Sequence, residues 1–454
     1  MKKIFTLLVI FVLLFNCSVT SFAVESEYTG RTDFIWGCTA HDYTYPAYKQ
    51  DAELYIKTIA ELGVDAFRIG FNYTVTTLES LEYLDKCVKL CDEYGLKKIV
   101  LLKFASYSDL ELNTQYFEMI ASRYNGKNGH GFIDIIEVGA EEDAKMLENK
   151  WPNGNGPNGD SIEHYYESDL IKYQNLYASC IKGIRNASSD IKVMIDFAHL
   201  HYAPLLYMYE HGLDFDILGL DWYVNMGPLN KVLDPVLEKF PHDIIVSETN
   251  IWPEANTNHE DVAVWNPVVE FMDIAYDTQR VKGLLFYELM DEPNLDNWGE
   301  EFVTEQAHFG LCYTNMDASI KGYKPIYYHL QDLLGGGPVV KRPVDYGEKT
   351  ETPSEPSSVI TPSTSVITPS TSEPSEEYSS FEEETESSNE TNVESSTENQ
   401  GSDEYIIKEV VTTTTKKIFP WKLFIIGSGV ILLLTGAVLL FRIIRPIRFK
   451  NIKK

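Results

Sequence analysis

Cysteine is scarce in this chain, and what there is leaves one thiol over. Six cysteines are spread over 454 residues, and Cys17 falls in an apolar leader, so five remain for the folded part. An odd count gives no complete disulfide framework, which excludes a small cross-linked scaffold. Cys87 and Cys91 lie four residues apart on one helical face, and Cys38, Cys180 and Cys312 sit in apolar surroundings. All five read as small core residues, with a single bridge between two of them left open.

Basic residues are also in short supply. Lys and Arg total 38 against 68 Asp and Glu, a net charge of −30. Such a chain repels a polyanion, so no nucleic acid is expected as a partner. Much of the acid is local: from Glu348 to Glu404 there are fifteen acidic residues and one base, Lys349. That stretch is rich in Ser, Thr and Pro and carries a tandem repeat, Ser358–Thr364 followed by Ser365–Thr371. It has too little apolar surface to fold, and its like charges extend it, so residues 343–416 are expected to form a disordered stalk.

Long apolar runs are missing except near the two ends. Lys2 and Lys3, then Ile4 to Phe15, then the small-x-small site Ser21-Phe22-Ala23 read as a secretory signal over residues 1–23. Leu14-Phe15-Asn16 make a poor lipid-attachment box before Cys17, and the run is too short to span a bilayer. Leu423 to Phe441 carries no charge and has about the ~20 residues that cross a hydrocarbon core. Behind it come Arg442, Arg445, Arg448, Lys450, Lys453 and Lys454 with no acid among them. Positive charge stays on the cytoplasmic side. The expectation is one transmembrane helix over 423–441 and a cytoplasmic tail over 442–454. The folded part would then stand outside the cell membrane, as on a Gram-positive-type bacterial surface.

Between these ends, from about Tyr28 to Leu334, β-branched runs alternate with longer amphipathic ones, the mark of repeated βα units. Strands are expected at Phe34–Cys38, Ala66–Phe71, Lys98–Phe104, Ile133–Gly139, Lys192–Phe197, Ile217–Asp221, Ile244–Glu248 and Gly283–Glu288. Helical spacing of apolar residues marks Tyr48–Leu62, Leu78–Tyr94, Leu110–Tyr124 and Glu167–Arg185. Eight units in this length fit a single (β/α)8 TIM barrel, placed at residues 28–337. The largest insertion follows the fourth strand and contains Trp151 to Asp160. It reads as a cleft wall with Trp151 against a sugar, or as a plain surface loop. Its spacing matches no recognised calcium-ligand pattern.

Two glutamates follow short apolar runs: Glu141 after Phe132–Ala140, and Glu248 after Asp243–Ser247. A carboxylate at the C-terminal end of a barrel strand faces the end where such barrels keep their active sites. Two of them suit cleavage of a glycosidic bond, one protonating the leaving oxygen and one attacking or activating water. By strand alternation Glu137 lies on the same side as Glu141, whereas Glu142 is already in the loop, and both stay open as further participants. His199 and His201 form a His-x-His pair that fits a metal site, sugar hydroxyls or packing.

The set resembles the clan A glycoside hydrolases, retaining enzymes with an acid/base on strand four and a nucleophile on strand seven. The carriers are Gly139-Ala140-Glu141, Val246-Ser247-Glu248, Phe67-Arg68-Ile69-Gly70 and Gly219-Leu220-Asp221-Trp222-Tyr223. To these add Phe286 to Pro293, Phe309-Gly310-Leu311 and Lys324-Pro325. The resemblance implies Glu248 as nucleophile and Glu141 as general acid/base, with Arg68 and Tyr223 contacting the nucleophile. Trp36, His41, His199, Trp222, Trp252, Tyr287 and Glu288 lie at or just past strand ends and are the candidates for binding sugar. No cofactor and no metal is expected, and the partners are a carbohydrate substrate and the membrane. The family has Asn before its acid/base, where this chain has Ala140. That departure keeps a second function in view, a non-catalytic carbohydrate-binding or adhesion module on the same scaffold.

Overall fold

The structure is a computed structural model. It describes residues 26–347 apart from 29, 46–47, 49–50, 72, 148–157, 252–260, 293–306, 316 and 318. The expected signal, the stalk beyond residue 347, the transmembrane helix and the tail, together with Trp151 and Trp252, lie outside the described residues. Of the expected stalk, residues 343–347 are described, and there the Tyr346 hydroxyl donates to Asp92 Oδ2 at 2.5 Å. Among the described residues no helix is long and apolar enough to cross a membrane.

Eight parallel strands close into a barrel in sequence order. They are β1 (Ile35–His41), β2 (Ala66–Phe71), β3 (Lys97–Leu102), β4 (Ile135–Val138), β5 (Lys192–Ala198), β6 (Ile217–Asp221), β7 (Asp243–Thr249) and β8 (Val281–Phe286). The expected single barrel is therefore the observed fold. Strand ends differ by a few residues, and two of these differences matter below: β1 runs on to His41, and β4 stops at Val138.

The crossovers carry α1 (Ala52–Leu62), α2 (Leu78–Tyr94), α3 (Leu110–Arg123), the single-turn α4 (Asp143–Met146) and α5 (Glu167–Ala187). The circuit continues through α6 (Ala203–Glu210), α7 (Asn230–Lys239) and α8 (Asn266–Asp277). A short hairpin, β9 (Cys312–Thr314) with β10 (Ile320–Tyr323), precedes α9 (Pro325–Leu334). Local chemistry fixes these boundaries. Thr77 and Ser80 cap α2 reciprocally at its start, and Gly95, at φ 80°, turns the chain left-handed at its end. At Gly183 in α5 an added Cβ would meet the Thr114 carbonyl at 2.3 Å, so only glycine lets α5 lie this close to α3. The five described cysteines are buried thiols.

Inside the barrel, Ile35, Ala66, Ile99, Ile135, Met194, Ile217, Ile245 and Leu285, one from each strand, pack into an apolar floor. Side chains on a strand alternate between faces, so residues two further along point into the same interior one layer higher. That layer contains Arg68, Glu137, Asp196 and Ser247, and Thr39 lies four beyond Ile35. Apolar residues hold the base of the barrel and polar ones crown it.

Candidate active site

Arg68 organises the crown. Its guanidinium is 1 % exposed. Nε and Nη2 donate to the two carboxylate oxygens of Glu137, both at 2.7 Å, and Nη1 donates to Glu248 Oε1 at 2.7 Å. Glu137 is thus an interior residue paired with Arg68. Burial pushes its carboxyl up to about 7, against the lowering effect of Arg68. One guanidinium divided between two carboxylates does not offset complete desolvation of the more deeply buried one.

The second oxygen of Glu248 accepts a hydrogen bond from the Tyr223 hydroxyl at 2.7 Å. Strict alternation along β7 would send Glu248 outward, because Ser247 faces inward and donates to Asp221 Oδ1 at 2.7 Å. The pairing of β7 with β6 shifts register between Leu220 and Asp221, and that with β8 shifts between Val246 and Thr249. Such an irregularity re-aims a side chain, and here it turns Glu248 into the barrel beside Ser247.

Glu141 arrives differently. It is not a strand residue. Gly139 and Glu141 both take left-handed backbone angles, φ 82° and 47°. For a non-glycine residue that conformation costs roughly 1–2 kcal/mol. The Glu141 N–H donates to Asp196 Oδ2 at 2.9 Å, which helps to hold the turn. Its side chain is open to the cavity yet ringed by protein and by acids. Desolvation first, and then the charges of Glu248, Asp143 and Asp196, raise its carboxyl well above the ordinary range. Glu142 faces away and accepts from the Tyr107 hydroxyl and from Lys145 Nζ, both at 2.9 Å.

Glu141 and Glu248 line one cavity of about 520 Å³, together with Arg68, Tyr223, His41, His199 and Tyr287. Tyr223, Tyr287 and Phe309 form an aromatic group with ring centroids 5.5–6.4 Å apart. Asn250, just past β7, fastens this wall by donating to the carbonyls of Tyr287 and of Phe309. Lys103, Asn225 and Met226 also line the cavity and were not anticipated. Lys103 had a signal, since it falls at the end of the third strand, whereas Asn225 and Met226 sit on a short 3-10 turn after β6 that spacing does not reveal.

Three expected sugar-binding residues do not reach the cavity. Trp36 is the second residue of β1, at the floor end, and packs against Tyr28, Phe34 and Tyr276. Ending that strand at Cys38 brings Trp36 too near the open face; the strand continues for three more residues. Trp222 is 1 % exposed, its indole N–H donating to the Gly227 carbonyl at 2.9 Å. Glu288 is buried behind the wall and accepts from the Tyr48 hydroxyl at 2.7 Å. The His199–His201 pair does not converge either. His199 faces the cavity, while His201 Nδ1 lies 2.7 Å from Asp143 Oδ2. Burial lowers both rings to about 4, so both are neutral at pH 7.

The model of glycosyl hydrolase family 53 matches residues 124–283, a span that holds both Glu141 and Glu248. Among solved structures, a family 1 β-glucosidase from Thermotoga maritima aligns at TM-score 0.50 and 12% identity, over 68% of this chain and 99% of its own. Fpglu1 from Fervidobacterium pennivoraus aligns at TM-score 0.48 and 13% identity, over 67% and 96%. The first of these likenesses concerns the fold alone. No curated protein matches. The match across the segment carrying both glutamates, on a closed parallel barrel, bears out the resemblance to the clan A glycoside hydrolases and the reading of the chain as a glycosidase.

Proposed function

We propose that this chain is a retaining β-glycosidase acting on poly- or oligosaccharides by double displacement, anchored outside the cell membrane by its C-terminal helix. The observation that carries the reading is the contrast between Glu248 and Glu141. Glu248 has a cationic donor on one oxygen and a hydroxyl donor on the other, each at 2.7 Å. These two donors fix the orientation of both carboxylate oxygens, which a nucleophile needs. Glu141 has no such donor among the described residues; desolvation and the neighbouring acids raise its carboxyl, which favours the protonated form a general acid needs.

In the first step a Glu248 oxygen attacks the anomeric carbon, and the bond to the leaving oxygen breaks as Glu141 gives that oxygen its proton. In the second, Glu141, now a carboxylate, takes a proton from water as the water oxygen displaces Glu248 from the sugar. Arg68 and Tyr223 position Glu248 throughout. Tyr287, Phe309, His41 and His199 offer ring faces and polar edges to the sugar. The specific observation on the side of a binding module is Ala140, which lines the cavity and has no side-chain donor for the sugar's 2-hydroxyl.

The test incubates the full-length chain with β-linked polysaccharides and aryl β-glycosides beside Glu248→Gln and Glu141→Gln. Glu248→Gln is expected to reduce turnover by roughly 10⁴-fold or more while sugar binding persists. Glu141→Gln is expected to lose about 10²–10⁴-fold on alkyl leaving groups. It should lose far less on a dinitrophenyl glycoside, which departs without a proton. Turnover that survives both substitutions would sink the assignment. Sugar binding without turnover in wild type would favour the binding module.

A further inference from the structure

We propose that His41, Glu288 and Glu292 form a divalent-cation site at the seam of the barrel, suited to zinc or manganese rather than calcium. β1 pairs with β8 to close the barrel, His41 ends β1, and Glu288 and Glu292 follow β8 by two and six residues. One ligand atom from each of the three lies within 4.8 Å of the other two.

The argument begins with unbalanced charge. Glu288 is 2 % and Glu292 is 4 % exposed. Carboxylates this deep require a cation or a proton between them. The neighbouring lysine is committed elsewhere: Lys324 Nζ donates to Asp291 Oδ1 at 2.7 Å and to the His308 carbonyl at 2.9 Å. Among the described residues, His41 Nε2, 3.3 Å from Glu288 Oε2, is the one basic group in ion-pair contact with either carboxylate. It also lies 3.1 Å from the Tyr287 hydroxyl.

The second observation is an orphan. Glu292 Oε1 is buried and has no hydrogen-bond partner among the described residues. A buried carboxylate oxygen without a donor carries an uncompensated desolvation cost, and coordination of a cation removes it. The donor set then decides which ion. One imidazole nitrogen with two carboxylate oxygens suits zinc or manganese, whereas calcium takes six to eight oxygens. The cluster contains neither Glu141 nor Glu248, and the proposed displacement steps do not pass through it.

The test uses full-length protein treated with a chelator, dialysed, and titrated with ZnCl₂ and with MnCl₂ by calorimetry, the manganese arm checked by electron paramagnetic resonance. Wild type is expected to bind one ion per chain, and bound zinc is expected to raise its melting temperature. Glu292→Gln is expected to weaken binding at least about tenfold and to abolish the temperature rise. Glu292→His supplies a nitrogen ligand at the same position and is expected to restore zinc binding. Absence of saturable binding by folded wild type would overturn the site and leave the carboxylates sharing a proton. Binding that Glu292→Gln leaves unchanged would overturn it as well.

Discussion

Around Arg68, two carboxylates share one permanently charged guanidinium. Around His41, two carboxylates share an imidazole whose charge depends on a proton. Both groups belong to the polar crown of one barrel, but their geometry differs. Arg68 presents a rigid fork that fills both oxygens of Glu137 and one of Glu248, leaving the last oxygen to Tyr223. The His41 group leaves Glu292 Oε1 without a donor. The Arg68 group therefore holds Glu248 in one place. The His41 group is underfilled, which is the condition for taking a proton or an ion.

The sharpest way to break this comparison is to remove each central base. Arg68→Met strands Glu137 and Glu248 without their cation, and removing one partner of a buried pair costs about 3–5 kcal/mol. Urea denaturation should register that loss, and any turnover should vanish with it. His41→Gln removes no permanent charge and keeps a hydrogen-bonding group, so its expected loss is only about 1 kcal/mol. Equal losses at the two positions would mean that the two groups are balanced in the same way.

A pH-dependent effect sharpens the Arg68 side. Glu137, held at about 7, titrates from about 4.5 in the unfolded chain. Between those values the folded chain keeps a proton that the unfolded chain has lost. Stability from this group is therefore present at low pH and falls as pH rises through that window. The scale is about 1.4 kcal/mol for each unit of difference. Glu137→Gln keeps the shape and removes the titration, so melting temperatures measured from pH 4.5 to 7.5 should slope less steeply than in wild type. An unchanged slope would assign the pH dependence to the other raised carboxyls, Asp196 among them.

The barrel was legible because its signal is repeated: eight β-branched runs at regular intervals constrain one another even where single boundaries slip. The glutamates were legible for the same reason, each following a strand-like run. The way they reach the cavity was not. Glu248 enters through a register shift with both neighbouring strands, and Glu141 through two left-handed residues beyond β4. Alternation alone would have sent the first outward and extended the strand to the second. Glu137 and Arg68 were each visible, but a pairing across two strands depends on barrel stagger that the order of residues does not disclose. Asn250, Asn225 and Met226 act through loop geometry, for which a single sequence carries no periodic signal.

β1 offers a last comparison within one strand. Trp36 and His41 were both expected to meet sugar, yet the strand puts them at opposite ends, Trp36 by the floor and His41 by the cavity. Trp36→Phe keeps an aromatic ring among Tyr28, Phe34 and Tyr276 and removes part of its volume. A core change of that size costs about 1 kcal/mol, or roughly 2–4 °C in a domain this large. The kinetic constants for any β-glycoside that wild type cleaves should not move, because Trp36 is not among the described residues that line the cavity. A rise in KM for Trp36→Phe without a matching loss of stability would put Trp36 back beside the substrate and undo the assignment of floor and crown along β1.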